Sequence, residues 1–164
     1  MLIIVRFLVL GAAATLLASP VVGQRADNQI FPRSIELQRQ AEARVVAGKL
    51  VEAGELLETS LAVDPRNRAA FVDLARVAQK QRLFGKTIRL TNKALELEPN
   101  DLDAIEVQGE AMVELGALPR ARENLGKLQR ICTNGCKQLT ALTAAISRGP
   151  TVAEASTPKA AKRN

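Results

Sequence analysis

Cys132 and Cys136 are the residues of this 164-residue chain whose type and spacing could do chemistry. A cysteine pair enclosing three residues can close a disulfide, exchange electrons or clamp a metal. An even cysteine count in an exported chain points to the disulfide. Thiol oxidoreductases usually space their cysteines by two, at a helix start beside a βαβ pattern. Here three residues intervene and no strand is evident. Covalent haem attachment needs a His directly after the second cysteine, where Lys137 stands. The chain has no His at all, so the commonest general base is missing and so is the usual four-ligand zinc site. Glu106 and Glu110 form a carboxylate pair, but a spacing of four makes them neighbours on one helix face. The expectation is a structural disulfide, Cys132–Cys136, in a chain that is not an enzyme and has no catalytic, cofactor-binding or metal-binding residue. An exported thiol redox protein using the same two cysteines is the alternative.

The export argument rests on the first 23 residues. Met1–Val22 carries one charge, Arg6, then an apolar run from Phe7 to Ala18 that ends in small residues. A short basic start, a hydrophobic centre and a small-residue exit make a secretory signal peptide, with cleavage expected near Gly23. A retained N-terminal anchor is the alternative, since Leu2–Val22 is about long enough to span a bilayer. Either reading places the domain outside the cytosol, with the bacterial periplasm as the expected compartment and membrane contact only if the segment is retained. Without Arg6 the chain holds 22 basic and 17 acidic residues, a formal charge of +5. That balance fits a solvated helical surface with a basic tail. Stacking on single-stranded nucleic acid needs aromatic rings, and only Phe31, Phe71 and Phe84 follow the leader. No nucleic-acid partner is expected.

The elements that hold the cysteines repeat. Pro65 and Pro99 lie 34 residues apart, and at that offset Leu37, Phe71 and Ile105 coincide. So do Leu50, Phe84 and Leu118; Ala53, Thr87 and Ala121; and Leu57, Thr91 and Leu125. The small residues Ala41, Ala75 and Gly109 align, as do Gly48 and Gly116. A period of 34 marks a solenoid of helical hairpins. After an extended lead-in over 24–33, Ser34 is expected to cap a helix over 35–47. Further helices are expected over 50–63, 69–81, 84–98 and 102–115, the last capped by Asp101. Pro119 opens a sixth helix, where its missing donor costs nothing. In the third unit Cys132-Thr133-Asn134-Gly135-Cys136 replaces the closing proline. A seventh helix over 137–146 is expected to hide the last hairpin's apolar face, as a solenoid end requires. The solenoid thus occupies 34–148, followed by a flexible basic tail over 149–164. A disulfide between Cys132 and Cys136 would pin the sixth helix to the seventh and contribute about 2 kcal/mol by loop closure.

These positions resemble the tetratricopeptide repeat (TPR) family. The shared elements are the early large residue, the small residue between helices, the hairpin glycine, the second-helix alanine and the closing proline. The middle unit departs from the pattern, with Thr87 and Thr91 in place of an apolar pair and its glycine, Gly85, three residues late. The resemblance implies an all-α, short right-handed solenoid of about three antiparallel helical hairpins plus a C-terminal capping helix. It also implies a concave groove, lined by the first helix of each unit, that receives a peptide or a partner's helix. Carried over position by position, the groove holds Gln38, Glu42 and Val46 from the first unit, and Val72, Arg76, Gln79 and Lys80 from the second. The third supplies Asp103, Glu106, Glu110 and Glu114. The resulting groove has a basic middle and an acidic end, which favours a protein partner carrying Lys or Arg. Family members that hold the acidic C-terminal peptide of cytosolic chaperones use Lys, Arg and Asn at defined groove positions. Gln38, Glu42, Asp73, Asp103 and Val107 stand there in this chain, and the carboxylates would repel such a ligand. The expected role is a non-enzymatic interaction scaffold of the cell envelope. A self-associating envelope subunit is a further alternative, because solenoid ends can stack.

Overall fold

A computed structural model describes residues 29–151, and these residues form seven α-helices and no strand. They are α1 (Pro32–Val46), α2 (Leu50–Val63), α3 (Arg68–Lys80), α4 (Phe84–Leu97), α5 (Leu102–Glu114), α6 (Leu118–Ile131) and α7 (Lys137–Arg148). The leader and residues 152–164 of the tail lie outside the described residues. No helix among those described is long and apolar enough to cross a membrane.

Local chemistry sets the helix ends. Asn67 and Asp101, 34 residues apart, accept the backbone N–H of Ala70 and Ala104 and cap α3 and α5, each satisfying one of the free donors of a helix start. Gly48 and Gly116 turn α1 and α5 with φ of 74° and 72°. The residue at the same place in the middle unit is Arg82, at φ 61°. Gly85 lies inside α4 and plays no part in the turn, so the late-glycine reading is corrected. The register never slipped; the middle turn uses a residue with a Cβ in the left-handed region, which glycine adopts more readily.

Ser34 does not cap α1. Pro32 starts the helix three residues before the expected Ile35, and the described part of the lead-in, 29–31, ends there. Ser34 is fully buried instead and bonds the hydroxyl and carbonyl of Ser60 on α2, at 2.8 and 2.9 Å. The start of α1 is tied to the α2–α3 turn by Asp64, which accepts the N–H groups of Phe31 and Arg66. Hydrogen bonding from the Arg66 side chain, helped by these backbone donors, holds the Asp64 carboxyl at about 2, below its ordinary 3.8.

The helices pair as α1–α2, α3–α4 and α5–α6, while α1, α3, α5 and α7 touch in succession to form one layer. Small residues make the close crossings: Ala41, Ala53, Ala70, Ala94, Ala104 and Ala121 are all fully buried. Thr87 and Thr91 are buried too, and their hydroxyls donate to the carbonyls of Leu83, just before α4, and Thr87. That local satisfaction lets two polar residues occupy apolar positions without a stranded donor. Leu97, at the end of α4, is 43% exposed. α7 lies against α5 and α6 and runs to Arg148, where Gly149 at φ 77° ends it. Leu142 of α7 packs with Ile105 and Leu128.

Candidate partner-binding face

The layer of α1, α3, α5 and α7 presents the side chains that the repeat spacing assigned to the groove. Most of them meet, but as three hydrogen-bonded groups and not as separate charges. Gln38 of α1 donates to Asp73 of α3 at 2.6 Å. Arg76 of α3 donates to Asp103 at 2.9 Å and Glu106 at 3.3 Å, both on α5. Gln79 donates to Glu110 at 2.8 Å. From α7, Gln138 donates to Asp103 at 3.0 Å. The basic middle is therefore already joined to the acidic end through Arg76.

Four assigned residues behave differently. Val72 is buried, 4% exposed, in the seam with Ala94 and Ala104. It presents no surface to a ligand, because its place in the repeat turns toward the neighbouring hairpin. Lys80 and Glu42 are exposed at the end of the face nearest the first hairpin. Glu114 accepts the N–H and hydroxyl of Thr151 at 3.0 and 2.7 Å, so the first residues of the expected tail are held against α5. Asp73 was singled out only as a residue that would repel an acidic ligand, and Gln138 was missed. Gln138 had no counterpart in the three units, so no repeat spacing could have placed it.

Carboxylates outnumber cations here. Glu42, Asp73, Asp103, Glu106 and Glu110 stand against two cations, Arg76, which bonds Asp103 and Glu106, and Lys80. Burial pushes Glu106 above the ordinary carboxylate value. Glu110 and Asp103 push the same way, against the pull of Arg76. Burial likewise raises Asp73, with Glu42 and Asp103 adding to the effect and the Gln38 hydrogen bond opposing it. In both groups the loss of water is the largest cause, and the neighbouring carboxylates add to it.

Beside this strip, between α1 and α3, lies a hollow of about 230 Å³. Val45, Val46, Leu57 and Val77 give it an apolar floor, with Glu42, Asp73, Arg76 and Lys80 around it. It is smaller than the roughly 300–1,000 Å³ of small-molecule sites, and suits a partner's side chain. Cys132 and Cys136 lie away from this face, flanking the α6–α7 turn with Cα atoms 5.8 Å apart, within the reach of a disulfide. No group of three or more metal-ligating side chains occurs among the described residues.

No protein-family model and no curated protein matches the sequence. Solved structures do match the fold. The first TPR of Spaghetti (RPAP3), bound to the HSP90 peptide SRMEEVD, aligns with a TM-score of 0.65 at 21% identity, over 76% of this chain and 94% of that one. The Sgt2 TPR domain from Aspergillus fumigatus aligns at 0.66 and 19% identity, over 82% of this chain and 90% of its own. The Arabidopsis OM64 TPR domain aligns at 0.65 and 12% identity, over 71% and 95%. Seven antiparallel helices in a 34-residue register and these structural matches agree: the chain has the tetratricopeptide-repeat fold, three helical hairpins closed by a seventh helix.

Proposed function

We propose that this chain is a non-enzymatic interaction scaffold outside the cytosol, in a bacterial periplasm, that binds a basic peptide or helix of a partner protein on its inner face. The observation that carries the reading is the excess of carboxylates on this face: Arg76 reaches Asp103 and Glu106, while Asp73 and Glu110 have only the amides of Gln38 and Gln79, with the like charges of Glu42 and Asp103 acting on Asp73. A Lys or Arg from a partner would relieve that repulsion, and an aliphatic neighbour would fill the hollow floored by Val45 and Val77. The first Spaghetti TPR holds SRMEEVD, whose glutamates and aspartate are acidic. The face of this chain carries the opposite electrostatic preference, so its ligand is read as the opposite kind.

Crosslinking in a native envelope fraction tests this. The wild type is expected to capture a partner that Asp73→Lys/Glu110→Lys loses by at least about tenfold, the scale expected when two like charges face a cation. Equal capture by both proteins would mean that the partner binds elsewhere.

The same location makes a disulfide the expected state of Cys132 and Cys136. Thiol titration of the denatured, unreduced protein is expected to find no free thiol. Two free thiols would contradict both the bond and the oxidising compartment.

A further inference from the structure

The chain leaves α7 toward the inner face. Gly149, at φ 77°, turns it at the end of α7. Thr151 then meets α5, where its N–H and hydroxyl donate to Glu114. Glu114, Lys80 and Val46 are the last residues of α5, α3 and α1. Thr151 therefore stands at the same end of the layer as the hollow that Val46 and Lys80 line. Residues 152–164 follow directly. They carry Lys159, Lys162 and Arg163 against one carboxylate side chain, Glu154.

The face beside Thr151 has carboxylates to offer such a segment. Among the described residues no cation bonds Asp73 or Glu110, which accept from the amides of Gln38 and Gln79. Glu42 is exposed beside the hollow and makes no ion pair among the described residues. Arg76 is taken up by Asp103 and Glu106. Lys80, at the rim, opposes an incoming cation, one charge against three carboxylates. The distances suit the segment. Packed helices lie about 8–10 Å apart, so the way from α5 across α3 to α1 is about 20 Å. Lys159 is eight residues beyond Thr151, a reach of about 26 Å in extended chain. The hold on Thr151 keeps the segment at an effective concentration of about a millimolar, as short flexible connections do.

We infer that residues 152–164 fold back across α5 and α3 and occupy the inner face, with Lys159, Lys162 and Arg163 set against Glu110, Asp73 and Glu42. The inference rests on the reading of this face as one that takes basic peptides, and it names the chain's own segment as the first of them. A partner must then displace the segment, so its apparent affinity is its intrinsic affinity multiplied by the fraction of open face. Displacement is built into the composition. Apart from Val152, next to the anchor, the segment has no large aliphatic side chain to fill the hollow floored by Val45, Leu57 and Val77. A partner that brings such a side chain beside its cation gains a contact the segment lacks.

Carbodiimide crosslinking of the full chain, mixed from equal parts of ordinary and heavy-isotope-labelled protein, tests the seat without a partner. The reagent joins a Lys amine to a carboxyl in contact with it. Lys159 or Lys162 is expected to join Glu42, Asp73 or Glu110 within one isotope. Joining mainly to Glu96 on α4 or Glu123 on α6 would overturn the assignment. Joining between isotopes would give the segment to a second copy and overturn it too. Calorimetry reads the consequence for partners, using the peptide SRMEEVD with each acidic residue replaced by Lys. Lys159→Ala/Lys162→Ala/Arg163→Ala is expected to bind it about tenfold more tightly than the wild type. Arg122→Ala/Lys127→Ala/Arg130→Ala removes the same charge from exposed positions of α6 and is expected to bind as the wild type does. An equal gain in both variants, or no gain in either while the wild type binds, would overturn the segment's assignment alone. No binding by any of the three proteins would overturn the basic-peptide reading of the face, and this assignment with it.

Discussion

Leu142→Ala is expected to lower stability by about 3 kcal/mol, within the range of buried leucine truncations, and to free α7 before the rest of the fold. Leu142 is fully buried and packs with Ile105 and Leu128. It also fills the space that Gly109 leaves: a Cβ at Gly109 would stand 2.7 Å from both Leu142 Cδ atoms. Truncation removes the side chain and leaves a hole between helices that cannot all close on it. Among the described residues α7 rests mainly on α5 and α6, so its amides should exchange fastest in the variant. The pairing gives a second readout. Gly109→Ala should destabilise the wild type through the clash but be tolerated in the Leu142→Ala background, a coupling of contacting residues. Urea denaturation of the four proteins checks both points. A loss under about 1 kcal/mol for Leu142→Ala, or additive effects in the double variant, would mean that α7 is not seated as described.

Asn67→Ala is expected to cost about 2 kcal/mol, the sum of a lost helix cap and lost buried hydrogen bonds. Asn67 is 3% exposed and joins three helices through one amide. Its oxygen caps α3 at Ala70. Its nitrogen donates to Ser34 at 2.9 Å and to Gln38 at 3.3 Å, both on α1. Ser34 and Ser60 retain their bond to each other, which limits the cost. Gln38 loses a partner that orients it toward Asp73, so the variant should also weaken binding at the inner face. Thermal unfolding and partner capture on the same protein test this. A variant as stable as the wild type would remove Asn67 from the account of how the first two hairpins join.

The repeat register was legible because the residues that make it are local. Pro65, Pro99, Gly48 and Gly116 act through their own backbone, so spacing alone placed the turns and the helices between them. What depended on contacts across the stack was not legible. Ser34 has the residue type of a cap, but Ser60, 26 residues away, gives it a buried partner. Gly85 has the residue type of a turn, but its unit bends at Arg82, whose φ no residue type announces. Val72 occupies a groove position by count and a seam by packing. Arg76 read as part of a basic middle, and its bonds to Asp103 and Glu106 were hidden because those residues belong to the next unit. The acidic excess of the inner face was visible as sequence; its raised carboxylates were not, since burial and neighbours create them.

The most direct test of the central claim is calorimetric titration of the folded chain with two peptides: SRMEEVD, and the same peptide with each acidic residue replaced by Lys. The account predicts binding of the lysine peptide and at least about tenfold weaker binding of SRMEEVD. A bound cation draws the raised carboxyls of Asp73 and Glu106 back down, so binding should release protons and strengthen as pH rises through the range above their ordinary values. Asp73→Lys/Glu110→Lys should invert the preference. Tighter binding of SRMEEVD by the wild type, or equal binding of both peptides by wild type and variant, would contradict the claim that this face selects a basic partner.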